Sequence, residues 1–88
     1  MKLKPEQARL IAKYYMGEPV HKSEIDNIID LDTNLPVIKN AEYIDVQDAG
    51  EDDWLVVFKF NNLYYGAMRD LDYIQEVKPY TITRYKFA

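Results

Sequence analysis

The sequence contains no cysteine, so neither a disulfide scaffold nor a cysteine-based zinc site can hold its fold. Its three glycines are isolated, which excludes a glycine-rich phosphate loop. No apolar run reaches the roughly 18 residues that a membrane-spanning helix requires. These absences favour a protein of the reducing cytoplasm that needs no membrane and no cofactor.

Catalytic and metal-binding constellations are also scarce. His21 and Ser23 are the only histidine and the only serine, and Ser23 is expected to cap a helix rather than to act as a nucleophile. The spacing of Asp30, Asp32 and Asn34 matches the start of a calcium loop, but Leu35 stands where that loop needs glycine. The sequence therefore predicts no enzyme activity and no metal site.

What the chain has in quantity is apolar and aromatic side chains. Of its 88 residues 48% are hydrophobic, and they include eight tyrosines, three phenylalanines and one tryptophan. This content predicts one folded domain over residues 1–88 rather than a disordered chain. We expect an α+β fold in which a helical part, residues 1–35, packs on a sheet part, residues 36–88.

Two helices are predicted in the helical part. The first runs from Pro5 to Met16, with an apolar stripe at i, i+3, i+4 and i+7 and a left-handed Gly17 at its end. The second runs from Ser23, as the N-cap, to about Leu31.

The sheet part is predicted to be mostly antiparallel, with three or four strands. Alternation predicts strands over residues 43–47, 54–60, 63–69 and 80–87, with a polar loop over residues 48–53. In the first strand, Ile44 and Val46 are expected to share one face. Asn61 and Asn62 predict a type I′ turn that pairs Phe58 with Tyr65 and Trp54 with Arg69.

Charge is distributed unevenly along the chain. Residues 1–23 carry five bases against two acids, residues 24–53 carry ten acids against one base, and residues 54–88 carry five bases against three acids. A dense acidic segment attracts basic protein surfaces and repels nucleic acid. We therefore expect its carboxylates to share one exposed flank that contacts a basic partner. The candidate partner-binding residues are Glu42, Asp45, Asp48, Glu51, Asp52, Asp53 and Trp54.

Two segments in the C-terminal half, WLVVFKFNNLYY over residues 54–65 and EVKPYTITRY over residues 76–85, resemble small accessory proteins of bacteriophages that infect Gram-positive bacteria. Some members of that group inhibit host defence, and anti-CRISPR proteins are among them. The resemblance implies a protein of the host cytoplasm, and it assigns no functional residue.

The leading hypothesis is a non-enzymatic protein that binds and inhibits a host protein through the acidic surface. The target would be a nucleic-acid-handling defence effector such as a CRISPR nuclease. A homodimer formed by an exposed edge strand stays open. The alternative hypothesis is a nucleic-acid-binding module that uses aromatic and basic side chains of the sheet. Its candidate residues are Lys59, Tyr64, Tyr65, Arg84 and Lys86.

Overall fold

The computed structural model describes residues 2–50, 53–69 and 73–77, and it confirms the predicted α+β fold. N-terminal helices pack on one face of an antiparallel sheet whose strand order is β1-β2-β3-β4. The elements are α1 (Pro5–Tyr15), α2 (Lys22–Asp26), α3 (Val37–Asn40), β1 (Ala41–Gly50), β2 (Asp53–Phe60), β3 (Leu63–Met68) and β4 (Ile74–Val77).

The first helix forms as predicted because both of its ends are satisfied locally. At its start, the Gln7 side chain accepts a hydrogen bond from the Lys4 backbone N–H at 3.1 Å. At its end, Gly17 adopts a φ of +80°, and the N–H of Glu18 donates back to the Lys13 carbonyl at 3.0 Å. This is a Schellman motif, which turns the chain sharply away from the helix axis. The predicted apolar stripe faces the sheet, with Ile11 fully buried.

The prediction for the second helix is wrong at both ends. Helix α2 has His21 as its N-cap, so that Ser23 lies inside the helix, and it ends at Asp26. The chain then leaves the helix because Ile29 forms a β-bridge with Pro36. The Asp30 carboxylate stabilises the intervening loop by accepting the Asp32 backbone N–H at 2.8 Å. An aspartate that accepts the backbone N–H two residues further on forms an Asx turn, which mimics a backbone turn.

A β-bulge in β1 overturns the predicted alternation of that strand. Tyr43 pairs with Phe58, and Asp45 pairs with Val57, the adjacent residue of β2. Ile44 is therefore the extra residue in β1. Ile44 and Val46 consequently pack on opposite faces, in different apolar clusters. The expectation that they share one face is therefore wrong.

The prediction of a polar loop over residues 48–53 is also wrong, because β1 and β2 both extend into this range. β1 continues to Gly50, β2 begins at Asp53, and these two residues pair with each other. Residues 51–52, which connect the strands, lie outside the described residues.

The β2–β3 hairpin confirms its predicted turn and register. Asn61 and Asn62 have φ values of +53° and +65°, as a type I′ turn requires, and Phe58 pairs with Tyr65. The described ladder ends at the pair of Leu55 with Met68, so the predicted pairing of Trp54 with Arg69 is not part of it. Arg69 instead donates a hydrogen bond to the Glu18 carboxylate at 2.6 Å.

Strand β2 separates two apolar clusters. Val56, Phe58 and Phe60 face the helices and form the main core, whereas Leu55 and Val57 are buried on the other face. β4 was not predicted from the sequence as a strand. The strand predicted over residues 80–87 lies outside the described residues.

The turn gives a direct test of the hairpin. We expect Asn62→Val to lower the free energy of unfolding by about 1–2 kcal/mol, because a β-branched residue is strained at positive φ. Asn62→Gly should raise it slightly, since glycine suits this turn position. Urea unfolding measures both changes. The matched control is Asn27→Val at a φ of −96°. Equal losses from the two valine variants would show that positive φ is not the cause.

Candidate functional site

The side chains that the sequence offers for catalysis or metal binding are not brought together within the described ranges. His21 and Ser23 are exposed, and no side-chain hydrogen bond joins them in the described part of the chain. Nor does any group of three or more histidine, aspartate or glutamate side chains within residues 2–50, 53–69 and 73–77 have a metal-binding arrangement. The surfaces that carry the predicted partner-binding residues are therefore considered next.

The candidate acidic residues do not share one face of the sheet. Glu42 pairs with Lys59 and Asp45 pairs with Val57, so both carboxylates project from the face opposite the helices. Asp48 pairs with Trp54 and projects from the helix-facing side. The expected acidic flank is therefore not a face of the sheet, because the described carboxylates divide between its two faces.

Contacts within the protein satisfy part of this negative charge. One Asp45 oxygen accepts the backbone N–H of Val46 at 2.9 Å, and the other lies 3.5 Å from the Gln47 amide nitrogen. Glu42 lies directly opposite Lys59 across the two strands, an arrangement that favours opposite charges. Glu51 and Asp52 lie outside the described residues, and of Asp53 the structure describes only the backbone.

What the described carboxylates do share is strand β1, which forms one edge of the sheet in the part of the chain that the structure describes. Side chains from both faces of an edge strand border the same open side. A partner that approaches this edge therefore meets Glu42 and Asp45 from one face and Asp48 from the other. The acidic feature is an edge rather than a face.

Exposed aromatic rings accompany this edge on the helix-facing side. The rings of Tyr15 and Tyr43 have centroids 5.4 Å apart, and Tyr14 lies 5.7 Å from Tyr15. Tyr15 also contacts Phe58 in the core at 6.1 Å, which fixes the outer rings to the rigid centre of the sheet. Tyr14 and Tyr43 are each 45% exposed, so the ring set reaches from the core to solvent.

Trp54 lies further along the same face. It is 37% exposed and pairs with Asp48, while half-buried Val46 separates this pair from Tyr43 along β1. We call the set formed by Tyr14, Tyr15, Tyr43, Asp48 and Trp54 the β1 strip. Sequence reasoning identified Asp48 and Trp54 but missed all three tyrosines. Tyr14 lies beside the apolar stripe of α1, and this position in the sequence could have indicated an exposed ring next to the core.

The alternative nucleic-acid site is not assembled by the described residues. Lys59 and Tyr64 are neighbours on the face opposite the helices, with the Lys59 nitrogen 5.8 Å from the Tyr64 ring centroid. Tyr65 points to the other face and is only 6% exposed, so its ring cannot stack on a base. Arg84 and Lys86 lie outside the described residues.

Burial changes the acidity of the inner ring of the β1 strip. It raises the pKa of Tyr15 to about 12, and neighbouring Tyr14 adds to the rise. The shift extends the pH range over which the Tyr15 phenol keeps its proton. Burial likewise raises the pKa of Tyr65. Nearby carboxylates, those of Asp30, Glu76 and Asp32, raise it further.

Neutral aromatic rings next to carboxylates suit the recognition of cationic side chains. An arginine or lysine can lie over a ring face while its charge pairs with a neighbouring acid. The β1 strip offers both groups on one side of the sheet, and Glu42 and Asp45 add charge around the edge.

The family models, curated proteins and solved structures compared with this chain include no match to it. None of the helices in the described ranges has the length and apolar character needed to cross a membrane.

The raised pKa of Tyr15 predicts a loss of stability at high pH. Tyr15 binds its proton more tightly in the folded chain than in the unfolded chain. Its contribution to the free energy of unfolding is therefore complete below pH 10 and is lost as the pH rises through about 12. We expect Tyr15→Phe to show a smaller fall in the free energy of unfolding between about pH 9 and pH 11.5 than the parent chain. Urea unfolding at each pH measures this difference. Tyr73→Phe, which changes an exposed ring, is the control, and an unchanged fall in Tyr15→Phe would contradict the assignment.

Proposed function

We propose that this protein is a non-enzymatic binding protein whose β1 edge engages a basic surface on another protein. The observation that carries the proposal is the β1 strip, in which the exposed rings of Tyr14 and Tyr43 are anchored to the core through Tyr15. Trp54 and the Asp48 carboxylate lie on the same face of the sheet. Tyrosine and tryptophan supply much of the binding energy in protein interfaces, because they bury a large area at a small entropic cost.

The anchoring of the rings supports this role over a purely structural one. Tyr15 contacts Phe58 in the core and Tyr43 at the surface, so ordering Tyr43 on binding costs little additional entropy. Tyr14, Tyr43 and Trp54 also keep more than a third of their surface in solvent, where a partner can contact them. Exposed rings that are held in place are suited to contact a partner.

Charge defines the kind of partner. The chain carries a net charge of −4, and the described acids of β1 border the strip on both faces of the sheet. Such an arrangement speeds association with a basic surface and disfavours nucleic acid. Proteins that handle nucleic acid present basic grooves, which are surfaces that an acidic edge can approach.

The resemblance to phage accessory proteins supplies the biological setting of the proposal. The protein would act in the host cytoplasm by occupying the nucleic-acid groove of a defence effector such as a CRISPR nuclease. This part rests on the resemblance of residues 54–65 and 76–85, whereas the binding surface rests on the geometry of β1.

The proposal is tested by measuring the inhibition of purified CRISPR nucleases of Gram-positive bacteria and the binding of the chain to any that it inhibits. We expect Tyr43→Ala and Trp54→Ala each to weaken binding about thirtyfold, as for central interface residues. Asp48→Asn should slow association and reduce its dependence on salt.

Matched controls lie away from the strip. Leu31→Ala removes an exposed apolar side chain, and Asp32→Asn removes an exposed charge, so both should bind as the parent chain does. Unchanged binding by the strip variants would contradict the proposed surface. Absence of inhibition across the nucleases would contradict the proposed target class.

A further inference from the structure

A groove between α1 and the segment that enters α2 belongs to neither the β1 edge nor the main core. It has a volume of about 490 Å³, within the range of small-molecule binding sites. Its apolar wall comes from Leu10 on α1 and from Pro19 and Val20 in the connecting loop. Leu10 and Val20 also pack against the main core, so this wall is fixed by the fold.

The side chains that line the groove include two lysines and one acid. Lys13 and Lys22 line it from opposite elements, His21 lies next to Lys22, and Glu24 is the single acid. Neither lysine nor His21 has a side-chain hydrogen bond or an ion pair with another described residue. The chain has more acids than bases, yet these two lysines have no acidic partner at the groove. Their positive charges are therefore available to bind an anion.

The fold explains why these charges stay available. The acid nearest to Lys13 along the C-terminal turn of α1 is Glu18, and its carboxylate is bound to Arg69 at 2.6 Å. Its backbone N–H donates to the Lys13 carbonyl, which holds the loop in the Schellman turn. The same residue therefore shapes one end of the groove and is withdrawn from neutralising it.

We propose that this groove binds a small organic anion, in which a phosphate or carboxylate group is attached to an apolar body. The anionic group would lie between Lys13 and Lys22, with His21 able to donate a further hydrogen bond. The apolar body would cover Leu10, Pro19 and Val20. Glu24 repels additional negative charge, so the site disfavours a polyanion such as nucleic acid.

Phenyl phosphate is a suitable probe, because it combines both parts of the proposed ligand. We expect a titration followed by amide NMR shifts to perturb residues 10–24 and to saturate. Inorganic phosphate, which lacks the apolar body, and benzyl alcohol, which lacks the charge, should each bind more weakly. Lys13→Gln and Lys22→Gln should each weaken phenyl phosphate binding about twofold to fivefold, the range for exposed ion pairs.

Lys39→Gln is the matched control, since Lys39 is exposed on α3 and does not line the groove. Lys13 also lies in the last turn of α1, where a base stabilises the helix. A purely structural role would shift the urea midpoint of Lys13→Gln without changing its dissociation constant for phenyl phosphate, and that result would overturn the proposal.

Three further results would also overturn it. One is the absence of saturable shifts with phenyl phosphate, and another is equal binding of benzyl alcohol. The third is equal binding of inorganic phosphate, which would show that an adventitious ion is all that the groove accepts. The site is independent of the β1 strip, so Tyr43→Ala should leave phenyl phosphate binding unchanged.

Discussion

The burial of both faces of β2 is the constraint on which the rest of the described structure depends. Phe58 and Val56 are fully buried against the helices, while Val57 is fully buried on the other face. A strand with two apolar faces has to lie inside a sheet, with a neighbour along each side. β1 and β3 supply those neighbours, and the position of α1 follows from packing Ile11 and Ala12 against the helix-facing side. The three tyrosine rings of the β1 strip are in turn anchored through Phe58.

Elements determined by local physics could be predicted from the sequence, and elements determined by distant contacts could not. The end of α1 depends on Gly17, and the β2–β3 register depends on Asn61 and Asn62, all of which act through their own backbone conformations. The end of α2 depends instead on a bridge between Ile29 and Pro36, which no periodicity within the helix reports. The bulge could not be predicted for a similar reason. Alternation along β1 does not show where its register with β2 shifts by one residue.

The candidate site was predictable in part for the same reason. Composition located the acidic segment, because charge can be counted without knowing the fold. Trp54 was included because it follows that segment directly in the sequence. The face from which each carboxylate projects depends on the register between β1 and β2, and the bulge that sets this register has no signal in the sequence. The tyrosines of the strip were missed because Tyr15 and Tyr43 meet only when α1 packs on the sheet. In contrast, Lys13 and Lys22 were counted in the basic N-terminal segment, but only the fold places them at one groove.

The bulge and the acids also bear on how a partner can approach β1. An edge strand with regular unpaired backbone groups invites another strand to add to the sheet, and proteins prevent this with bulges and charged side chains. β1 has both devices, with its extra residue at Ile44 and carboxylates on Glu42 and Asp45 beside it. Backbone pairing with a second copy is therefore disfavoured at this edge. In the proposed role, recognition at this edge would therefore proceed through side chains. The rings of Tyr43 and Trp54 are exposed, and the carboxylates of β1 would favour a basic partner.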